Sequence, residues 1–284
     1  MKIPKQLQPL LEDGLIDEVL YQLMSGKEAT VYVVKSQGSI CCAKAYKDVM
    51  KRSFKKAAQY QEGRKVKNSR RARAMEKGSS FGRKQLEDAW QNAEVDALFT
   101  LAKAGVRVPQ PYGCYDGVLL MELITNEEGD VAPRLNDVEM SSEQALDDHA
   151  QMMHYVKLML CAGIVHGDLS EFNVLVDDYG PVIIDLPQAV NAAANNNAFE
   201  MLQRDVRNIT DYYAQFADEL KQTLYAEEMW ALFEAAKLSP ETELTGYFEV
   251  DTREADVDTV LEEIKAAFAE EQARQERMRE AGDE

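Results

Sequence analysis

The sequence predicts an α+β fold in two lobes, a β-rich first part and a mostly helical second part. Three observations predict it. Short runs rich in Val, Ile and Tyr alternate with glycine turns through the first ~46 residues. Apolar residues then recur at helical spacing over residues 142–161 and again beyond 199. A strand–loop–strand unit at residues 164–186 sits between these helical stretches. A chain of 284 residues, 45% of them hydrophobic, can bury cores of that size.

Taken in order, the first ~15 residues read as a short helix or tail. Ile16 to Met24, the turn Ser25-Gly26-Lys27-Glu28-Ala29, and Thr30 to Lys35 read as a hairpin. Gln37-Gly38 turns the chain into a third strand, Ser39 to Tyr46. Leu86, Ala89, Trp90, Ala93, Ala97, Leu98 and Leu101 lie at helical spacing, and Gly105 closes that helix. Pro109 and Pro111 mark an extended connector, and Tyr115-Asp116-Gly117-Val118 a further hairpin leading to Leu123. Helices follow at 142–161, 199–218, 219–237 and 256–275, the last with Val257, Val260, Leu261, Ile264 and Phe268 on one face. The expected divisions are an N-lobe at 1–121 with a basic insertion at 47–84, a hinge at 122–131, a helical C-lobe at 132–240 and an acidic helical tail at 241–284.

No run of 18 apolar residues is present, which excludes a membrane-spanning helix. Met1-Lys2-Ile3-Pro4-Lys5-Gln6 is not followed by the apolar stretch of a secretory signal. Cys41, Cys42, Cys114 and Cys161 have no metal-ligand spacing, so reduced thiols in a cytoplasmic protein are expected. The net charge is −18, yet residues 47–84 hold 14 Lys and Arg against 3 Asp and Glu. That segment reads either as a solvated loop or as a contact for phosphate-rich partners such as RNA or a ribosomal particle.

The strongest chemical signal is Ile164-Val165-His166-Gly167-Asp168-Leu169-Ser170-Glu171-Phe172-Asn173, an H-x-D-x-x-x-x-N pattern between two apolar runs. Phosphoryl transfer needs a carboxylate at the attacking hydroxyl and oxygen ligands for the cation that neutralises the phosphates. Asp168 and Asn173 supply one of each. Pro181-Val182-Ile183-Ile184-Asp185 then delivers a second metal-binding carboxylate at the end of a strand. Asp168 and Asp185 are the candidate catalytic residues, with Asn173 and Asp185 holding Mg²⁺. His166 reads as a packing and hydrogen-bonding element, and neither His149 nor His154, at i, i+5 on a helix, reads as a ligand.

Phosphate binding belongs in the first lobe. Lys44 ends the third strand and is the candidate partner of the α/β-phosphates, with Glu94 on the following helix as its counter-ion. Ser25 and Lys27, in a turn with a single glycine, are weaker phosphate candidates. Met121, Glu122 and Ile124 have the form of a lobe connector whose backbone would meet an adenine. The cofactors expected are ATP and Mg²⁺, in a protein-kinase-like fold.

The sequence resembles the RIO family of atypical serine/threonine protein kinases. Ser25 to Tyr32, Ala43 to Lys47, His166 to Asn173, Ile184-Asp185-Leu186-Pro187-Gln188-Ala189-Val190 and Arg204-Asp205-Val206-Arg207-Asn208 carry the resemblance. It implies a trimmed kinase fold without the usual activation segment, and the sequence has no D-F-G or A-P-E. It also implies that Asp185 can itself accept phosphate and that Asp205 braces the catalytic loop. With ~20 residues before the glycine turn, the chain looks like the branch lacking an N-terminal winged helix. Gly167 departs from the alanine of many members and is shared with small-molecule kinases. The expected function is an ATP-dependent protein kinase acting on a protein or on itself. An aminoglycoside- or choline-type kinase and an ATP-switched RNA- or ribosome-binding module stand as alternatives.

Overall fold

The computed structural model describes residues 3–47 and 94–249. All of the basic insertion after Lys47 and the expected helix at 256–275 lie outside the described residues, as does the start of the helix expected from Leu86. The chain divides into one compact unit, Met1–Tyr247, and a second, Phe248–Glu284, of which only residues 248 and 249 are described.

The first lobe is a five-stranded antiparallel sheet. Its strands are β1 (Glu18–Ser25), β2 (Ala29–Ser36), β3 (Ser39–Tyr46), β4 (Pro111–Tyr115) and β5 (Val118–Glu122), in the order β1-β2-β3-β5-β4. Side-chain alternation gives β3 two distinct faces. Cys41, Ala43 and Ala45 pack with Leu10 of the short helix α1 (Gln8–Glu12) and with Leu7, which precedes it. Lys44 and Tyr46 point the other way, toward the helix that runs from Glu94 to 103, here α2. On that side Ala97, Leu98 and Leu101 join Tyr46 in the main core.

The segment after β5 is a small hairpin rather than a plain strand end. Thr125 bridges Val131, and the Asp130 N–H donates to Asn126 Oδ1 at 2.8 Å. Ile124 and Ala132 pack on Val182, which fixes this connector to the second lobe.

The second lobe is built on α3 (Ser142–Cys161), which spans the expected 142–161. Ser141 caps it by accepting the Gln144 N–H at 3.1 Å. Met152, Met153, Val156, Met159 and Leu160 form its buried stripe. Each such side chain contributes about 1.5–3 kcal/mol by leaving water. Strand β6 (Ile164–Val165) pairs with β9 (Val190–Asn191), and β7 (Val174–Asp177) with β8 (Gly180–Ile183). Helices α4 (Ala198–Tyr213) and α5 (Tyr225–Glu234) pack on α3. Both are shorter than the sequence reading, which extended them to 218 and 237, and a 3₁₀ turn at Asp218–Gln222 lies between them. Residues just past 240 are fastened to this lobe. Lys157 Nζ donates to the Thr242 carbonyl at 2.7 Å, and buried Glu228 accepts the N–H groups of Thr245 and Gly246.

Candidate functional site

Lys44 leaves the inner face of β3 and meets two carboxylates. Its Nζ is 2.5 Å from Glu94 Oε1, at the described start of α2, and 2.7 Å from Asp185 Oδ1, just beyond β8. Lys44 and Glu94 are 8% and 2% exposed, so the pair stands in low dielectric. Burial works to lower the Lys44 ammonium, but the charges of Glu94 and Asp185 outweigh it and hold the group above the ordinary lysine value. Tyr46, two residues on and so on the same face, donates its hydroxyl to Glu94 Oε2 at 2.5 Å. Burial, with Glu94 alongside, pushes that phenol well up.

Asp185 sits at φ +66°, a left-handed conformation that few non-glycine residues adopt. Aspartate tolerates it better than most. The strain turns the carboxylate out of line with β8 and toward Lys44, as is common at functional sites. Burial works to raise this carboxyl, and the charge and hydrogen bond of Lys44 more than offset it, leaving it below the usual range.

The loop from His166 to Asn173 lies beside it. His166 is 2% exposed, with Nε2 3.1 Å from the Ile184 carbonyl and Nδ1 accepting the Asp168 N–H at 3.3 Å. Those partners define a neutral ring protonated on Nε2. Burial lowers its pKa to about 4. The ring therefore ties the Asp168 backbone to the strand that ends in Asp185. Asp168 is exposed, and its Oδ2 accepts Gln188 Nε2 at 3.1 Å. Asn173 donates Nδ2 to the Asp168 carbonyl at 2.8 Å, which leaves the amide oxygen outside that bond.

Helix α4 carries the support for this loop. Asp205, 1% exposed, accepts the Gly167 N–H at 2.7 Å and the Leu169 N–H at 3.0 Å. Burial pushes its carboxyl up to about 7, against the two N–H donors and Arg204. Arg204 donates to the Gly167 carbonyl, and Asn208 to the Leu169 carbonyl at 2.9 Å. Residues 204, 205 and 208 share a helix face, so one turn of α4 grips both Gly167 and Leu169 of the loop. Gly167 has φ +80°, which suits a residue without a Cβ.

The glycine turn is braced from the strand beside it. Lys27 is exposed and adjoins none of the residues above through a hydrogen bond or ion pair among the described residues. Lys47 takes the bracing position, donating to Ser25 Oγ at 2.8 Å and to the Gly26 carbonyl at 2.6 Å. In the connector, the Glu122 N–H bonds the Gln110 carbonyl at 2.9 Å and the Ile124 carbonyl accepts the Ala132 N–H at 3.0 Å. Met121 is half-buried and packs against the main core.

The structure thus brings together Lys44, Glu94 and Asp185 directly, with Asp168 and Asn173 joined to them through His166 and the strand pair. Sequence reasoning missed Tyr46 and Gln188 as neighbours of the centre. For Tyr46 a signal existed, the period-two alternation that puts it beside Lys44. Gln188 stood in a motif that carries the resemblance, but its direction toward Asp168 was not readable, because a loop residue's direction is not encoded in spacing.

Residues 30–226 match the RIO domain family. The chain belongs to the RIO family of atypical protein kinases. It is 34% identical over 218 residues to the RIO-type serine/threonine-protein kinase Rio1 of Haloferax volcanii, covering 76% of this chain and 70% of that one. It is 31% identical over 206 residues to human serine/threonine-protein kinase RIO1, covering 72% of this chain and 34% of that one, about a third of its length. Among solved structures, the Rio2 kinase–ADP/Mg²⁺–phosphoaspartate complex of Chaetomium thermophilum superposes with a TM-score of 0.53 at 19% identity, over 82% of this chain and 70% of that one. The two-lobed α+β arrangement is therefore the RIO kinase fold. No described helix is long and apolar enough to cross a membrane. All four cysteines are free thiols.

Proposed function

We propose that this RIO protein is an ATP- and Mg²⁺-dependent phosphotransferase that acts on serine or threonine hydroxyls of a protein substrate, or on itself. The observation that carries the reading is the Lys44 ammonium held between Glu94 and Asp185, at 2.5 and 2.7 Å, beside the Asp168 loop. Glu94, with Tyr46 behind it, fixes the direction of an ammonium that neutralises nucleotide phosphates. An adenine edge is met by the Glu122 carbonyl and the Ile124 N–H, since the other two groups of those residues are spent on Gln110 and Ala132. Ser25 and the turn around Gly26 cover the phosphates, with Lys27 exposed above them.

The donor set suits Mg²⁺. Asn173 offers an amide oxygen and Asp185 a carboxylate, both hard oxygens. Among the described residues no three His, Cys, Asp or Glu side chains converge on one point. That fits a cation which takes few protein ligands and completes its shell with phosphate oxygens and water. When bound, it neutralises charge on the transferring phosphoryl group. Asp168 orients the acceptor hydroxyl and accepts its proton, and Gln188 on Oδ2 fixes the carboxylate plane so that Oδ1 faces the acceptor.

Incubation with γ-labelled ATP and Mg²⁺ tests this. Label that survives neutral hydroxylamine marks Ser or Thr, whereas hydroxylamine-labile label marks an acyl-phosphate on Asp185. Wild-type protein that labels neither itself nor any protein substrate, while phosphorylating aminoglycosides or amino alcohols, overturns the protein-kinase reading. The division of the first unit into an N-lobe, a hinge at 122–131 and a helical C-lobe belongs to this proposal, as does a cytoplasmic location, which the free thiols support. The surplus of basic residues at 47–84 supports an RNA or ribosomal contact there. RNA affinity that does not fall with salt counts against that contact.

A further inference from the structure

Arg134 belongs to none of the motifs above, yet it stands where the two lobes and the catalytic loop meet. Its backbone bridges Leu175, two residues beyond Asn173. Its side chain crosses to the other lobe, where Nη2 donates to Met24 Sδ at 3.5 Å. Met24 immediately precedes Ser25-Gly26. The guanidinium therefore spans from the strand after Asn173 to the glycine turn.

A thioether is a weak acceptor for a group with five N–H donors. Among the described residues Arg134 forms no ion pair. Its charge does reach Asp185, whose carboxyl it helps to hold down, although Asp185 Oδ1 is already bonded to Lys44. Lys47, just beyond β3, reaches the same turn, bonded to Ser25 Oγ and the Gly26 carbonyl. Two cations, Lys47 and Arg134, thus border the turn, Lys47 from just beyond β3 and Arg134 from the second lobe. A strut between lobes would be expected to end on a carboxylate, and this one ends on a methionine.

We infer that Arg134 is a phosphate-binding residue, its guanidinium closing the mouth of the cleft over the phosphate tail of the nucleotide from the helical lobe. A planar fork of donors matches phosphate oxygens in a way that a lysine does not. The inference rests on the kinase reading and adds to it a contact from the second lobe, which makes phosphate binding and lobe closure one event.

Calorimetric titration of the full chain with ATP and with adenosine, in Mg²⁺, tests it. Arg134→Gln is expected to weaken ATP about tenfold or more and leave adenosine unchanged, with Arg134→Lys between the two. Met24→Leu, which removes the sulfur and keeps the cation, is expected to bind ATP as the wild type does. Unchanged ATP affinity in Arg134→Gln overturns the inference. So does an equal loss for adenosine, or a loss in Met24→Leu as large as in Arg134→Gln. Wild-type protein that binds no ATP overturns the kinase reading itself, which separates the two failures.

Discussion

Lys44 Nζ and Asp185 Oδ1 lie 2.7 Å apart although 141 residues separate them in the chain. That one ion pair ties the sheet lobe to the end of β8, and its inner half, Lys44–Glu94, is buried. Removing the ammonium leaves Glu94 buried with only the Tyr46 hydroxyl, and breaking a buried pair costs about 3–5 kcal/mol. Lys44→Met is therefore expected to lose both stability and phosphate transfer. The double variant Lys44→Met/Glu94→Leu separates them, because it removes both charges. Its melting temperature should recover toward wild type while labelling from γ-ATP stays at background. Transfer restored in the double variant would remove Lys44 from the chemistry.

Tyr46→Phe deletes one hydroxyl and nothing else. The lost bond ends on a buried carboxylate, so about 1.5–3 kcal/mol of stability is expected to go, read from urea unfolding. Glu94 then loses one of its two fixed partners, and Lys44 is less firmly aimed. Slower transfer with nearly unchanged ATP affinity is the expected kinetic result. A drop in stability with full activity would make Tyr46 a packing residue alone.

Asp205→Asn is a test of the loop's support. The carboxylate accepts two N–H groups, from Gly167 and Leu169. An amide has one oxygen, and its NH₂ faces an N–H it cannot accept. A buried donor left unsatisfied costs about 1–3 kcal/mol. The loop holding Asp168 loosens, so kcat is expected to fall at least tenfold while adenosine binding is retained. A full rate in Asp205→Asn would show that the Arg204 and Asn208 bonds suffice.

Much of this centre was legible in the sequence, and the reason is physical. Lys44 lies within an apolar strand, Asp168 and Asp185 follow one and Asn173 precedes one, and apolar strands are what periodicity locates. Glu94 was found because the helix pattern around Ala97, Leu98 and Leu101 fixed which face looks inward. Lys27 was read as a phosphate candidate because it lies in the glycine turn, and the bracing of that turn by Lys47, on the neighbouring strand end, was not read from the sequence. Register between β2 and β3 decides this, with Ala29 opposite Tyr46, and register is a pairing property no single segment displays. The contacts of Arg134 and Gln188 were illegible for a related reason. Both residues lie in irregular backbone, where the direction of a side chain depends on tertiary contacts. The α4 and α5 ends were overextended because Phe216, Leu220 and Leu238 continue an apolar pattern while the backbone turns at Ala214 and Ala235.

Acid should destabilise the protein through its buried histidines. His149, 1% exposed, is bonded to Thr210 Oγ1 at 2.9 Å and packed against the rings of Tyr213 and Tyr225. Burial lowers its pKa to about 4. Because the folded value lies below the unfolded one of about 6.5, the stabilisation is present above pH ~6.5 and is lost as pH falls through about 4. The shift corresponds to about 3 kcal/mol, of which about 2–3 is lost between pH 7.5 and 4.5. His166 shifts in the same direction, to about 4. Asp205 shifts the opposite way: raised to about 7, its contribution is present in acid and lost as pH rises through that value. The wild-type pH profile therefore mixes opposing terms, and a single-site difference isolates one. Unfolding free energies in urea at pH 7.5 and 4.5 should fall less in His149→Gln than in wild type, by about 2 kcal/mol. His149 lies on α3, away from Lys44 and Asp168, so ATP binding at pH 7.5 should be preserved in this variant. An identical pH drop in both proteins would mean that the ring takes up its proton without leaving its place between Thr210 and the two tyrosines.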